Sequence, residues 1–117
     1  IDTSIDIHRR LGPGLLESVY ATVLAHELTK KGFRVAKEAA VPVRWGELTL
    51  DEGFRADLIV EDAVIVELKS VEKTSPVHRK QLLTYLRLAD KRLGLLINFG
   101  EETLINGISR LVNGLKE

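Results

Sequence analysis

Charged residues interrupt two strongly apolar segments of β type, and this pattern constrains the fold more than any other feature of the sequence. Asp57 lies between apolar neighbours in the first segment, and Glu67-Leu68-Lys69 ends the second. A charge buried in an apolar strand costs free energy unless it is paired or binds a metal. Such residues are concentrated where proteins carry out chemistry. Two carboxylates beside a lysine form a minimal site for a divalent cation that assists phosphodiester hydrolysis.

Composition limits the chain to one globular domain, which we expect to span residues 1–117. The hydrophobic fraction of 44% and the charged fraction of 29% are ordinary for such a domain. Seventeen basic and 17 acidic residues give a formal net charge of zero, so nucleic-acid binding would need a local basic patch. The absence of cysteine excludes disulfides, thiolate zinc sites and a cysteine nucleophile.

The sequence also lacks membrane and targeting signals. No apolar run approaches the roughly 18–20 residues that span a bilayer, so we expect no membrane partner. The chain begins at Ile1 without a signal-peptide pattern, which leads us to expect a trimmed or mature fragment. The lack of cysteine fits a reducing compartment, and we therefore expect a cytoplasmic location.

Hydrophobic spacing and turn residues predict alternating helices and strands. Helices are predicted at residues 4–11, 15–31 and 76–89, and strand-type segments at 33–45, 48–50, 54–60, 63–69 and 93–99. The tail, residues 104–115, has helical spacing that Gly107 and Gly114 oppose, and we leave it open. This order predicts an α/β or α+β domain with a central mixed sheet flanked by helices.

The turn between the two charged strands decides whether the carboxylates meet. We expect the even residues from Phe54 to Val60 to share one apolar face, with Asp57 on the other. A two-residue turn would place Asp57 beside Val66, whereas a three-residue loop at 61–63 or a single bulge would place it opposite Glu67. The polarity pattern favours the second arrangement. The alternative is that Asp57 and Lys69 form an ion pair and that Glu67 lies on a solvated face.

Several other residues could support such a site. Gln81 and Tyr85 are four apart and share one face of the predicted helix, with His78 a turn earlier. Each could equally belong to an ordinary amphipathic helix. Glu17 lies early in the second helix, where a carboxylate is favoured by the helix dipole or could be a further metal ligand. Trp45, beside a turn, is either a base-stacking platform or a core or rim residue.

Basic residues occur in short clusters that could meet phosphates or simply be solvated. The clusters are His8-Arg9-Arg10, Lys30-Lys31 with Arg34, His78-Arg79-Lys80 and Lys91-Arg92.

The motifs taken together resemble the PD-(D/E)XK nuclease superfamily and, more narrowly, the GxxExxY proteins. Gly14-Leu15-Leu16-Glu17-Ser18-Val19-Tyr20 corresponds to the GxxExxY motif. The other segments that carry the resemblance are His8 to Gly14, Phe54 to Leu58, Val66 to Lys69, Leu96 to Gly100 and Arg110 to Leu115. The resemblance implies an αβββαβ core like that of restriction endonucleases. One departure is Ala56, which stands before Asp57 where the superfamily motif has proline.

The resemblance also implies roles for the site residues. Mg²⁺ or Mn²⁺ would be bound by Asp57, Glu67 and the Leu68 carbonyl, with Glu17 as an added ligand. Lys69 would orient the attacking water and stabilise negative charge. Gln81 and Tyr85 would be auxiliary catalytic residues, with His78 as a further candidate.

We therefore consider three hypotheses. The first is a metal-dependent nuclease that cleaves nucleic acid, with DNA expected in preference to RNA and a homodimer as the expected assembly. The second is a catalytically inactive module of the same fold that binds nucleic acid or a protein partner. The third is a structural subunit in which Asp57 and Lys69 pair.

Overall fold

A five-stranded mixed sheet forms the centre of the protein, which was analysed as a computed structural model describing residues 1–114. The strand order is β1-β2-β3-β4-β5; β3 and β4 run parallel, and the other neighbouring pairs are antiparallel. The elements are α1 (Asp2–Leu11), α2 (Glu17–Lys30), β1 (Val35–Trp45), β2 (Leu48–Val60), β3 (Val64–Lys69), α3 (Pro76–Ala89), β4 (Leu93–Asn98), a 3₁₀ turn (Leu104–Gly107) and β5 (Ile108–Val112). The predicted α+β class with helices around a mixed sheet is confirmed.

The helices cover both faces of this sheet. On one face α1 and α2 pack with residues of β2, β3 and β4 in a cluster centred on Tyr20, Leu58 and Phe99. On the other face α3 packs through Leu82 and Leu86. Helix α3 begins at Pro76, whose missing N–H costs nothing in the first turn. No helix within residues 1–114 is both long and apolar enough to cross a membrane.

The hairpin that joins β2 to β3 has the predicted three-residue loop. Val60 pairs with Val64 and Leu58 with Val66, which is the register that brings Asp57 beside Glu67. Glu61 and Asp62 both adopt positive φ values, of 55° and 52°. Left-handed residues match the twist of a hairpin, so the loop closes without displacing the strands. The two-residue turn is thereby excluded.

The expected common face of β2 is not formed. Phe54 and Ala56 pack with α3, whereas Leu58 packs with α2 on the opposite face. The register places Glu38 of β1 opposite Asp57, and Glu38 has a φ of 52°. A residue with a positive φ interrupts the alternation of side chains between the two faces of a strand. The faces of the β1–β2 hairpin are therefore exchanged at this position. Two segments predicted separately, 48–50 and 54–60, also form the single strand β2.

The helical spacing of the tail is not realised as a helix. Residues 104–107 form a 3₁₀ turn and Ile108–Val112 form β5, which pairs with the free edge of β4. A Cβ at Gly107 would lie 2.5 Å from the Asn98 carbonyl oxygen, so only glycine permits this close approach. Leu115, included in the helical spacing, lies outside the described residues.

The close approach at Gly107 predicts a large cost for a single added carbon. We expect Gly107→Ala to lower the free energy of unfolding by about 1–3 kcal/mol, because the backbone of β4 has no room to move. Chemical denaturation of the variant measures this cost. Asn106→Ala, at an exposed neighbouring residue, is the control and should change stability by less than about 0.5 kcal/mol. Equal stabilities for the two variants would contradict the account of β5.

Candidate metal centre

The two central carboxylates meet where the pairing of β2 with β3 ends. Beyond the Leu58–Val66 pair, the Asp57 N–H donates to Glu67 Oε1 at 3.2 Å. The Leu68 N–H donates to Asp57 Oδ2 at 2.8 Å. Each carboxylate therefore accepts a hydrogen bond from the backbone of the opposite strand. These two hydrogen bonds take the place of the backbone-to-backbone bonds that would continue the pairing of β2 with β3. The exchange fixes both side chains next to each other.

The electrostatics of Glu67 reflect this proximity. Glu67 is only 9% exposed, and its pKa is raised to about 8, with burial as the largest cause. The negative charge of Asp57 and a side-chain hydrogen bond to Asp57 contribute to this rise, whereas the hydrogen bond from the Asp57 N–H and the charge of the Lys69 ammonium oppose it. A proton shared between two adjacent carboxyl groups relieves their repulsion, and a bound cation would relieve it in the same way.

Lys69 stands at the end of β3, two residues beyond Glu67. The Lys69 side chain is half-buried, and its positive charge lowers the pKa of Glu67. The ion pairs found within residues 1–114 do not include a contact between Lys69 and Asp57. The ammonium group therefore stands near the carboxylates without being neutralised by Asp57, contrary to the alternative considered from the sequence.

Helix α3 brings a tyrosine to the same place. The Tyr85 ring stacks on Phe54 with centroids 3.9 Å apart. Burial raises the pKa of Tyr85, and the nearby charges of Glu67 and Asp57 raise it too, while a hydrogen bond with Gln81 lowers it. Tyr85 thus lies beside the carboxylate pair with Gln81 as its partner. His78 has a structural role instead, because its Nδ1 accepts a hydrogen bond from the Ser75 N–H and caps the start of α3.

The Leu68 backbone carbonyl also points towards this site. Phe99 directly follows β4, and its N–H donates to the Lys69 carbonyl at 2.8 Å. The peptide groups of Lys69 therefore face β4. Successive residues of a strand direct their peptide groups to opposite neighbours, and Leu68 therefore faces β2. Its N–H binds Asp57, as described, and its carbonyl lies along the same edge.

Glu17 is not brought into contact with this pair. It is the exposed first residue of α2 and lines a shallow cavity with Leu15 and Ser70, the residue after Lys69. In the part of the chain that the structure describes, no three side chains of histidine, cysteine, aspartate or glutamate are grouped closely enough to hold a metal ion. The role of Glu17 as a ligand stays a prediction.

A buried asparagine that the sequence analysis assigned no role holds the loop after Lys69. Asn98 Oδ1 accepts hydrogen bonds from the N–H groups of Val71 and Gly100, both at 3.0 Å. Asn98 Nδ2 donates to the Val71 carbonyl at 2.9 Å. These bonds fasten the exit of β3 to the end of β4. The signal available in the sequence was a polar residue at the end of an otherwise apolar strand.

The tyrosine of the Gly14–Tyr20 motif has a structural role. The Tyr20 hydroxyl donates to the Gly12 carbonyl at 2.6 Å and accepts from the Leu15 N–H at 3.1 Å. Its ring stacks on Phe99 with centroids 4.3 Å apart. Tyr20 therefore orders the turn that leads into α2 and places Glu17 at the start of that helix.

The donor set fits a hard divalent cation. Asp57 and Glu67 each commit one oxygen to a backbone N–H, which leaves a second oxygen on each carboxylate. With the Leu68 carbonyl these are all oxygen donors, the type that Mg²⁺ and Mn²⁺ prefer.

The mixed sheet, the paired carboxylates and the following lysine are those of a nuclease-type domain. The profile of the PD-(D/E)XK nuclease superfamily matches residues 1–111, and the chain belongs to this superfamily. The matched family is a superfamily of nucleases, and its members generally use divalent metals.

A solved structure titled "Crystal structure of SSO0001" has a similar fold, with a TM-score of 0.52 and 17% sequence identity. The alignment covers 97% of this chain and 63% of that chain, so the present chain spans less than two thirds of its length. A comparison with curated proteins finds no significant match.

The raised pKa of Glu67 predicts an unusual dependence of stability on pH. Between about pH 4.5 and 8 the folded state retains a proton that the unfolded state releases, so stability falls as pH rises through this range. Glu67→Gln removes this penalty. In the presence of a chelator, the thermal midpoint of the variant should therefore rise relative to wild type as pH goes from 5 to 8.

Two comparisons complete this test. Asp51→Asn, at an exposed carboxylate of β2, should follow the wild-type profile. Addition of Mg²⁺ or Mn²⁺ should raise the wild-type midpoint more at pH 8 than at pH 6, because the cation competes with the proton, and should not stabilise Glu67→Gln. Parallel pH profiles for all three proteins would show that Glu67 holds no extra proton.

Proposed function

We propose that the protein is a Mg²⁺- or Mn²⁺-dependent nuclease that hydrolyses phosphodiester bonds, with DNA as the expected substrate in preference to RNA. The observation that carries this proposal is the side-by-side arrangement of Asp57 and Glu67, with Lys69 close enough to act on Glu67 electrostatically. Membership of the superfamily supports it. The Gly14–Tyr20 motif further favours the GxxExxY group within that superfamily.

Asp57, Glu67 and the Leu68 carbonyl would hold the cation. When bound, the ion would act as a Lewis acid that lowers the pKa of water and neutralises charge on the phosphoryl oxygens. Glu17 is the further candidate ligand because its exposed side chain stands near Ser70, directly after Lys69. We expect the metal site to form through carboxylates already fixed by the backbone, at little cost in side-chain entropy.

The remaining residues would bind and orient the reactants. The Lys69 ammonium would hold the attacking water by hydrogen bonding and stabilise negative charge that develops on the phosphoryl group. The Tyr85 hydroxyl and the Gln81 amide, which bond to each other, would position a phosphate oxygen or a water molecule from the α3 side. Asn98 would act through the loop it fastens, by keeping Ser70 and Val71 clear of the carboxylates.

Cleavage assays test this proposal directly. Labelled single- and double-stranded DNA and RNA should be cleaved with Mg²⁺ or Mn²⁺ and left intact with a chelator. Asp57→Ala, Glu67→Ala and Lys69→Ala should each lower the rate at least about a hundredfold, because each removes several kcal/mol of transition-state stabilisation.

Asp51→Ala is the matched control, since it removes an exposed carboxylate from the same strand as Asp57. It should cleave at the wild-type rate. Activity that survives in Asp57→Ala and Glu67→Ala would remove these residues from the mechanism.

One surface of the protein also favours the homodimer that we expect for the nuclease. The tip of the β1–β2 hairpin, residues 43–50, extends beyond β3, which pairs with β2 only at Leu58–Val60. Trp45 is opposite Leu48 in this tip, and both are well exposed, Trp45 by 80%. Directly paired residues share a face, so they form a continuous apolar patch. We propose that a second copy of the chain covers it, which would give the expected homodimer.

Trp45 reports on its own burial because it is the only tryptophan. If the hairpin tip mediates dimerisation, the fluorescence maximum of Trp45 should shift to shorter wavelength as protein concentration rises, in step with the mass from light scattering. Leu48→Asp should keep the protein monomeric and the maximum unshifted, because a charge opposite Trp45 cannot be buried without cost. Leu83→Asp, at an exposed leucine of α3, is the control. A monomer at all concentrations would contradict this assembly.

A further inference from the structure

A groove beside the start of α3 concentrates positive charge in a protein whose formal net charge is zero. It encloses about 770 Å³ and is lined by Lys73 of the loop after β3 and by Arg79 and Lys80 of α3. One carboxylate, that of Glu101, also lines it. Among residues 1–114, three cations therefore face a single acid. Glu72 belongs to the same loop but does not line the groove.

The three cations are available to a ligand. Lys73, Arg79 and Lys80 are all exposed. The ion pairs within residues 1–114 include none of the three. Other basic residues are engaged, as Lys91 is with Asp62 and Arg34 with Glu61. Cations left without carboxylate partners around a concave surface are suited to an anion that brings several negative charges.

The groove is joined to the candidate metal centre by a short, fixed segment. Lys73 is four residues after Lys69, so their Cα atoms are at most about 14 Å apart. The segment between them is held by the bonds of Asn98 to Val71, and the Ser75–His78 capping box fixes its far end. The groove thus has a defined position relative to the carboxylates. Each nucleotide of one strand of a duplex advances about 3.4 Å along the helix axis, so this upper limit corresponds to at most about four nucleotides.

We propose that this groove binds the sugar–phosphate backbone of a nucleic acid a few nucleotides from the bond at the metal centre. The inference rests on the proposed function for the location of that bond, although binding itself does not require cleavage. Lysine and arginine contacts to phosphate carry no sequence information, so the groove supplies affinity and register rather than sequence recognition. The side chains of Ser75, Asn106 and Ser109, which also line it, offer neutral hydrogen-bonding groups to phosphate or sugar oxygens.

Binding measured without catalysis tests the groove. Fluorescence anisotropy with a labelled 20-nucleotide strand and a 20-base-pair duplex, in a chelator, compares wild type with the triple variant Lys73→Ala, Arg79→Ala, Lys80→Ala. We expect the dissociation constant of the variant to rise at least tenfold at 50 mM salt. The slope of log affinity against log salt should become shallower by about 2 for the single strand and about 3 for the duplex, since three phosphate contacts are lost.

A charge-matched triple variant is the control: Arg9→Ala, Arg10→Ala, Lys30→Ala. It removes the same charge from exposed positions of α1 and α2, on the opposite face of the sheet. It should weaken binding less than threefold. Equal effects of the two triple variants, or no binding of either nucleic acid by wild type, would overturn the proposal.

The assay separates this inference from the nuclease proposal. Groove-dependent binding by a protein that cleaves nothing would support the groove and contradict the nuclease. Metal-dependent cleavage with unchanged binding in the groove variant would support the nuclease and contradict the groove. Preferential binding of an acidic peptide over both nucleic acids would also overturn the groove as a phosphate-backbone site.

Discussion

The exchange of hydrogen bonds between the Asp57 and Glu67 carboxylates and the backbone of the opposite strand is the interaction on which the site depends. It begins where the β2–β3 ladder stops, so the carboxylates substitute for carbonyl groups as acceptors. Glu67 is buried and Asp57 is half-buried, and two carboxylates this close repel unless a proton or a cation lies between them. The fold holds them together despite this cost, and the pKa of Glu67 is raised first by burial and then by the negative charge of Asp57.

The rest of the molecule fixes the surroundings of this pair. The hairpin loop sets the register through the left-handed residues Glu61 and Asp62. Glu38 turns the β1–β2 hairpin over opposite Asp57, which allows Phe54 to reach α3 and stack on Tyr85. Helix α3 contributes to both candidate sites. Its Tyr85 lies beside the carboxylates, and its Arg79 and Lys80 line the groove together with Lys73 of the preceding loop.

Much of this arrangement could be predicted from local patterns. Strand polarity and loop length were enough to place Asp57 beside Glu67, and helical spacing put Gln81 and Tyr85 on one face. The exchange of faces at Asp57 could not be predicted, because it depends on the positive φ of Glu38. A positive φ is expected from sequence mainly at glycine, and this position is a glutamate. Strand β5 was missed because its spacing fits a helix, and the free edge of β4 decides its structure. The bonds of Asn98 to Val71 join residues 27 apart and leave no local signature.

The nuclease and interaction-module hypotheses share a fold and differ in whether the carboxylate pair binds a metal. Crystals soaked in Mn²⁺ and measured for anomalous scattering test this point most directly. We expect a peak between the Asp57 and Glu67 side chains, with oxygen distances of about 2.0–2.2 Å and the Leu68 carbonyl in the same coordination sphere. Full-occupancy Mn²⁺ elsewhere on the protein, with the carboxylate pair empty at pH 8, would contradict it.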